Sequence, residues 1–461
     1  MDEDRQIVRS FVRIAYDWCR AFIPDQEWQA RKNKIQEHLL GLRRPRPRAF
    51  VAEDFASVSV SDDRFGWYLY LAETFLEATQ SYEPIQGARV IPLFTQLGRH
   101  PLELSRIQGI RERFKEIVNH ERMNADQGLF EILTALMYAR NGWSTVEFIP
   151  KDRRKKTADI RVANKSREFF IECKRLAGRS GYSLEEREKW LRLWQPLVKF
   201  LVERKLPLVI DFTFHVELST LSDNFLLSEI APKLELLPFQ KASIPGPKVS
   251  FTVDVVKLSD IAKHLEHNFV RDPSDLLNEL ILGKRDVNSE TSCFYLGKGG
   301  TMGEATGTNR FIESIEFAGG ALWRCDSPKA ISAKARDVRR HLADAVEQLP
   351  PHAPSVVHIG VETIDGWPVE QERYAKICAT ISRFDSTGID LQWIYCHLFQ
   401  AYSPPEKDWE FDETVYYFSK NGVGPNPPLK EHSMVIPYET VRDGVHWKPT
   451  NSVDCEPPSA I

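Results

Sequence analysis

Three charged residues stand where a strand-like sequence calls for apolar ones. In the stretch ADIRVANKSREFFIECKR, Asp159 lies in one run, and Glu172 and Lys174 lie in the next. Side chains alternate across a strand, so Glu172 and Lys174 share a face while Cys173 points to the other. If IRVANKS and REFFIEC pair as a hairpin around Asn164 to Arg167, Asp159 and Glu172 come together near one end. Two carboxylates in one small volume repel, and one keeps its proton unless a cation neutralises them. Mg²⁺ or Mn²⁺ suits that role, because hard divalent ions take carboxylate, carbonyl and water oxygens. A lysine beside such an ion can orient a water and balance charge building on a phosphorus centre. A solvated salt bridge would account for the same residues without any chemistry. Phe169, Phe170 and Ile171 precede the pair, so the charges interrupt a buried pattern, which favours the chemical reading.

The elements that must position these residues are legible on either side. DQGLFEILTALMYARNG places Leu129, Ile132, Leu133, Leu136 and Met137 at helical spacing, with Asn141-Gly142 as a stop signal. STVEFIP and TADIRVANKS read as strands joined by the basic turn KDRRKK, and REFFIECKRL reads as a third. Ser183 and Glu186 give an S-x-x-E capping pattern for a helix whose Trp190, Trp194, Leu197 and Leu201 line one face, with a kink expected at Pro196. LPLVIDFTFHVE then reads as a buried strand, so the order is helix, three strands, helix, strand.

That order and those residues resemble the PD-(D/E)xK nuclease superfamily, which shares the restriction-endonuclease-like fold. The resemblance covers roughly residues 124 to 217 and rests on Thr157-Ala158-Asp159, on Glu172-Cys173-Lys174, and on Glu131 in the preceding helix. It implies that Asp159 and Glu172 ligate Mg²⁺ or Mn²⁺, with the Cys173 carbonyl as a further ligand. It also implies that Lys174 is the catalytic lysine and Glu131 an additional acid near the metal. The motif's proline is Ala158 here, a backbone position that carries no chemistry. The fold expected is α/β, with a restriction-endonuclease-like core over 121–220 in which helices flank a central mixed sheet. A mainly helical region over 1–120 precedes it, and an α/β region over 221–400 and an irregular proline-rich tail over 401–461 follow. The function implied is metal-dependent hydrolysis of nucleic acid, DNA ahead of RNA, in defence, restriction or repair. The alternative is a catalytically silent nuclease-like fold that binds nucleic acid or acts as a scaffold.

Elsewhere the sequence is less specific. IVRSFVRIAYDWCRAFI reads as an amphipathic helix and RFGWYLYLAETFLEA as a more buried one, separated by the basic loop RRPRPR. GKGGTMGEATG lacks the spacing of a phosphate-binding loop and is expected to be a flexible loop. KAISAKARDVRRHLADAVEQL reads as one helix carrying Lys334, Arg336, Arg339 and Arg340. SVVHIGVE and DLQWIYCHLF read as strands, either of a separate domain or at the far edge of the first sheet with 220–320 inserted. Asp211, Thr213, His215 and Glu217 share one strand face, and His264-Leu265-Glu266-His267 lacks a third metal ligand nearby.

Composition sets outer limits. The 461-residue chain has 42% hydrophobic residues and a net charge of -4, so a nucleic-acid site would have to be a local basic patch. Lys151, Arg153, Arg154, Lys155, Lys156 and Arg175 form such a patch beside the acidic pair, suited to phosphate contacts. Seven scattered cysteines argue against a disulfide framework or a CxxC zinc site and suit a reducing compartment. No run is long and apolar enough to span a bilayer, so the expectation is a cytoplasmic protein without membrane contact, working with nucleic acid and open to a homodimer or a partner protein.

Overall fold

The computed structural model describes residues 2–41, 60–151, 156–237, 241–283, 286, 288–302, 308–405, 407–420, 426–442 and 444–447. Among them twelve strands form. The first six are β1 (Thr145–Phe148), β2 (Ile160–Ala163), β3 (Glu168–Leu176), β4 (Leu208–Phe214), β5 (Ala242–Ile244) and β6 (Val249–Val255). The others are β7 (Val270–Arg271), β8 (Glu290–Thr301), β9 (Arg310–Cys325), β10 (Ser355–Glu362), β11 (Leu391–Tyr402) and β12 (Glu410–Ser419). They make two mixed sheets. The first has the order β1-β2-β3-β10-β11-β12, with β3, β10 and β11 parallel and the outer pairs antiparallel. The second has the order β5-β6-β4-β9-β7, with β8 also paired to β9, and β4 parallel to β9. The molecule is thus α/β.

The strand expected to close the first sheet does not do so. Leu208–Phe214 pairs with β6 and β9 in the second sheet, and β10 takes the place beside β3, matching Phe170–Leu176 to Ser355–Val361. Aromatic packing explains the transfer. Trp190, on the helix Gly181–Glu203, packs against Phe212 and Phe214 of β4 and stacks on Trp323 of β9 at 5.0 Å, which draws helix and strand into another core. β10 is buried along its whole length, as a near-continuous apolar strand covered on both faces should be.

Helices cover the first sheet on both sides. The helices Asp2–Arg20, Arg64–Glu77, Pro84–Arg99 and Ala125–Arg140 share one core with β1 to β3. Arg64–Glu77 is buried almost throughout, as a helix apolar on every side must be. Arg339–Val346 and Trp367–Arg383 pack on the opposite face, over Val357, Ile359 and Val361.

Four local expectations need correction. Ser180, not Ser183, caps the helix Gly181–Glu203, its hydroxyl accepting from Ser183 N; Glu186 pairs with Lys334 instead. In the glycine-rich stretch, Gly297 to Thr301 belong to β8 rather than to a flexible loop. A Cβ on Gly297 would lie 2.0 Å from the Ser314 carbonyl oxygen, so the glycine permits close strand approach at a bulge. The helix after Ser327 is two, Pro328–Lys334 and Arg339–Val346. The tail contains β12, whose Glu413 accepts backbone N–H groups of Met434, Val435 and Ile436 and ties the following chain down. RRPRPR, residues 303–307 of the glycine-rich stretch and the last residues of the chain lie outside the described residues.

Candidate active site

The acidic pair sits where the sheet splays. β2 pairs with β3 only as far as Ile160↔Ile171, while β3 runs on to Leu176. The backbone groups of Cys173 and Arg175 on that side therefore lack a strand partner, and buried backbone groups must find one. Two side chains supply it. Asp159 Oδ2 accepts from Cys173 N at 2.9 Å. Gln127, on the helix Ala125–Arg140, donates to Cys173 O and accepts from Arg175 N, both at 2.8 Å. Asp159 is itself fixed by its backbone, which donates to Ile171 O and accepts from Ile149 N, each at 3.0 Å. The hairpin expected around Asn164 forms, with Asn164 Oδ1 accepting from Ser166 N and Arg167 N.

Glu172 is 1% exposed, and its Oε1 accepts from Lys174 Nζ at 2.6 Å. Its Oε2 is buried without an N–H donor, and the Asp159 carboxyl lies within hydrogen-bonding reach of the side chain. Burial, opposed only in part by Lys174, pushes the Glu172 carboxyl up to about 7. Burial, then the nearby Glu131 and Glu172, hold Asp159 well above the ordinary carboxylate range despite its bond from Cys173 N. Burial and, at Asp159, the neighbouring carboxylates thus favour the protonated forms of both acids.

Glu131 lies close enough to act on Asp159, yet its charge is already engaged. Arg113, from the helix Ile110–Asn119, donates to Glu131 Oε2 at 2.7 Å and also holds Glu116 and Glu121, while Gln127 donates to Glu131 Oε1 at 2.9 Å. Among the described residues no three His, Cys, Asp or Glu side chains form a ready metal cluster. The pair with the Cys173 carbonyl is what remains for a cation to use.

The basic residues scatter. Lys151 bonds Glu121 at 2.6 Å, and Lys156 pairs with Glu347 at the surface. Arg153, Arg154 and Lys155 lie outside the described residues. Arg175 turns inward, bonding Glu362 at 2.9 Å with its guanidinium 5.0 Å from the Phe399 ring centroid. Lys334 and Arg336 are likewise spent on Glu186 and the Gly178 carbonyl, whereas Arg339 and Arg340 are exposed on a helix packed against β3. Asp211, His215 and Glu217 bond Arg324, Asp326 and Tyr182 at the second sheet.

Sequence reading missed Gln127. Its signal was available: Gln127 and Glu131 are spaced i,i+4 and so share one face of a helix. His341, on Arg339–Val346, was also missed; it lies within electrostatic reach of Lys174, and burial lowers its pKa.

Comparison with known proteins adds no relative: no family model, no curated protein and no solved structure matches the chain significantly. What defines the molecule is its own geometry, an α/β protein with a buried glutamate, a half-buried aspartate and a lysine where two strands of the first sheet splay apart.

Proposed function

We propose that the chain is a metal-dependent nuclease hydrolysing phosphodiester bonds of nucleic acid, with DNA the expected substrate. The observation that carries the reading is Glu172, a buried carboxylate with one oxygen on Lys174 and the other bare, beside a second carboxylate. The donor set fits a hard divalent cation. Asp159, Glu172 and the Cys173 carbonyl would hold it, since a carbonyl oxygen keeps a second lone pair after bonding Gln127. Bound Mg²⁺ or Mn²⁺ supplies Lewis-acid polarisation of a phosphoryl oxygen and acidifies a water. The chain's own residues do the rest. Lys174 would present its ammonium to charge developing on phosphorus, and Gln127 keeps the unpaired edge of β3 in register.

The engagement of Lys174 with Glu172 and of Glu131 with Arg113 favours a second reading, in which the same fold binds nucleic acid without cutting it. One experiment separates them. Purified protein is incubated with linear and circular double-stranded DNA, single-stranded DNA and RNA, in Mg²⁺, Mn²⁺ or chelator, beside folded Asp159→Ala and Lys174→Ala variants. Cleavage that needs metal and is lost in both variants is expected. Binding without cleavage under every condition would replace the nuclease reading with the silent one.

A further inference from the structure

The two sheets belong to bodies that share no hydrophobic core. Among the described residues, the buried apolar clusters of the first sheet draw on the chain up to Leu176 and again from Val338. Those of the second sheet draw only on the chain between Trp190 and Ala330, with Tyr182 packed at their margin. The segment from Gly181 to Lys334 is thus an insert between β3 and β10 with a sheet and cores of its own. The chain enters and leaves this insert at one place. The outgoing connector, 177–180, and the returning one, 335–337, lie side by side, because the Arg336 guanidinium donates to the Gly178 carbonyl. Gly178 has a φ of 72°, a conformation that favours glycine, and a Cβ there would meet nothing within 4 Å. Two adjacent crossings at such a residue are the arrangement of a hinge, which absorbs a domain rotation in a few backbone dihedrals.

The contacts across the boundary are polar. Arg179 bridges the bodies, pairing with Glu290 of the insert at 2.6 Å and with Asp365 of the first body at 3.6 Å. Asn288 Oδ1 accepts from Trp367 N at 2.8 Å, and Arg373 donates to Lys334 O at 3.5 Å. Elsewhere along the boundary Arg271 donates to Thr79 O at 2.9 Å and Thr308 to Ser81 O at 2.7 Å. The packing is loose, since a cavity of about 220 Å³ is lined by residues of both bodies. A water takes roughly 30 Å³ of the liquid, so several would fit. Along the same boundary Glu186 Oε1, Arg336 Nε and Arg373 Nε are buried without a hydrogen-bond partner. Closing the bodies together leaves those polar atoms unmet, and opening them lets water reach each one. Within one chain, a polar interface of this kind leaves relative motion as the default, which only a large hydrophobic contact suppresses.

We propose that the insert Gly181–Lys334 swings on the paired connectors as a hinged domain, with Arg179 as the latch that holds the closed arrangement. β3, which carries Glu172 and Lys174, ends at Leu176 and runs directly into the hinge. The motion stands whether or not the acid pair cuts nucleic acid.

Small-angle X-ray scattering and peptide-resolved amide exchange of the full chain test the motion. Three variants accompany the wild type: Arg179→Gln, which removes the latch charge, Asn288→Ala, which removes the acceptor of Trp367 N, and Arg204→Gln, which removes an exposed pair inside the insert. Arg179→Gln should raise the radius of gyration and speed exchange about threefold or more in the peptides holding Gly178 and Trp367, while β4 and β10 stay as protected as in the wild type. Asn288→Ala should raise the radius of gyration by less, and Arg204→Gln should leave it unchanged. Salt raised from about 0.05 to about 1 M should shift the wild type in the same direction but weakly, because pairs that are largely buried are screened little. Scattering that neither latch variant changes while its circular dichroism spectrum stays that of the wild type would overturn the hinge. If only Asn288→Ala folds, its scattering decides. Exchange that rises in β4 and β10 together with the boundary would also overturn it, since that is unfolding rather than swinging.

Discussion

Glu172 and Glu362 sit on neighbouring strands of one sheet, 1% and 8% exposed, yet they are opposites in electrostatics. Glu362 accepts from Arg89 at 2.5 Å, from Arg175 at 2.9 Å and from Gly178 N at 2.7 Å. Burial pushes its carboxyl up, but the two guanidiniums and the backbone donor more than offset it, and its pKa falls to about 2. Glu172 has the same burial with one lysine and a bare oxygen, and stands at about 7. Burial alone therefore says little about a charge. What separates the two carboxylates is how many donors the surroundings have already committed to each.

The sharpest way to break the contrast is to neutralise each carboxylate in turn. Glu362→Gln leaves Arg89 and Arg175 without their shared counter-charge, and losing one partner of a buried ion network costs about 3–5 kcal/mol. Glu172→Gln should be neutral or stabilising by about 1–3 kcal/mol at pH 8, because the wild-type protein there must ionise a group that burial keeps protonated. Urea unfolding at pH 8 reads both. Equal losses in the two variants would abolish the distinction.

The pH dependence should separate them again, with the opposite sign on each limb. Glu362 has a lowered pKa, so its stabilisation is present above the ordinary value near 4.5 and is lost as pH falls toward about 2. Glu172 has a raised pKa: the unfolded chain ionises near 4.5 while the folded chain keeps its proton to about 7, so stability declines as pH rises across that window. Glu362→Gln should flatten the acid limb of a thermal-midpoint profile, and Glu172→Gln the limb between pH 4.5 and 7. Carboxylate ligands must be ionised to bind metal, so Mg²⁺ or Mn²⁺ affinity should climb as pH passes 7, with proton uptake by the buffer. A calorimetric affinity that is level from pH 6 to 8 would separate the acid pair from any metal.

The contrast also marks what could be read from the chain. Asp159, Glu172 and Lys174 were legible because strand alternation and one short hairpin place them, and both are local rules. The helices Asp2–Arg20 and Arg64–Glu77 were legible for a like reason, the local spacing of their apolar residues. Glu362 was not: its partners Arg89 and Arg175 stand 273 and 187 residues away, and no periodicity reports a contact across that distance. The transfer of Leu208–Phe214 to the second sheet failed in the same way. Its sequence fixes a buried strand, while the choice of neighbour depends on Trp190 and Trp323 packing around it. Arg175 shows the limit for charge runs, since a basic residue counted toward a phosphate-binding patch spends itself on Glu362.

The most local expected effect tests how the Glu172 half of the contrast is held. Gln127 replaces a missing strand by bonding Cys173 O and Arg175 N, and Asp159 replaces it at Cys173 N. Gln127→Leu keeps the side chain's bulk and removes both of these bonds together with the one to Glu131, which should cost about 1–3 kcal/mol for the buried groups left unsatisfied. Amide exchange resolves the effect by residue. Arg175 N–H should lose protection, Cys173 N–H should keep it because Asp159 still accepts from it, and Arg175 N–H should exchange no faster in Asp159→Asn. If Arg175 stays protected in Gln127→Leu, the open edge of β3 is held by something other than Gln127. The carbonyl assigned to the cation would then owe its position to the sheet alone.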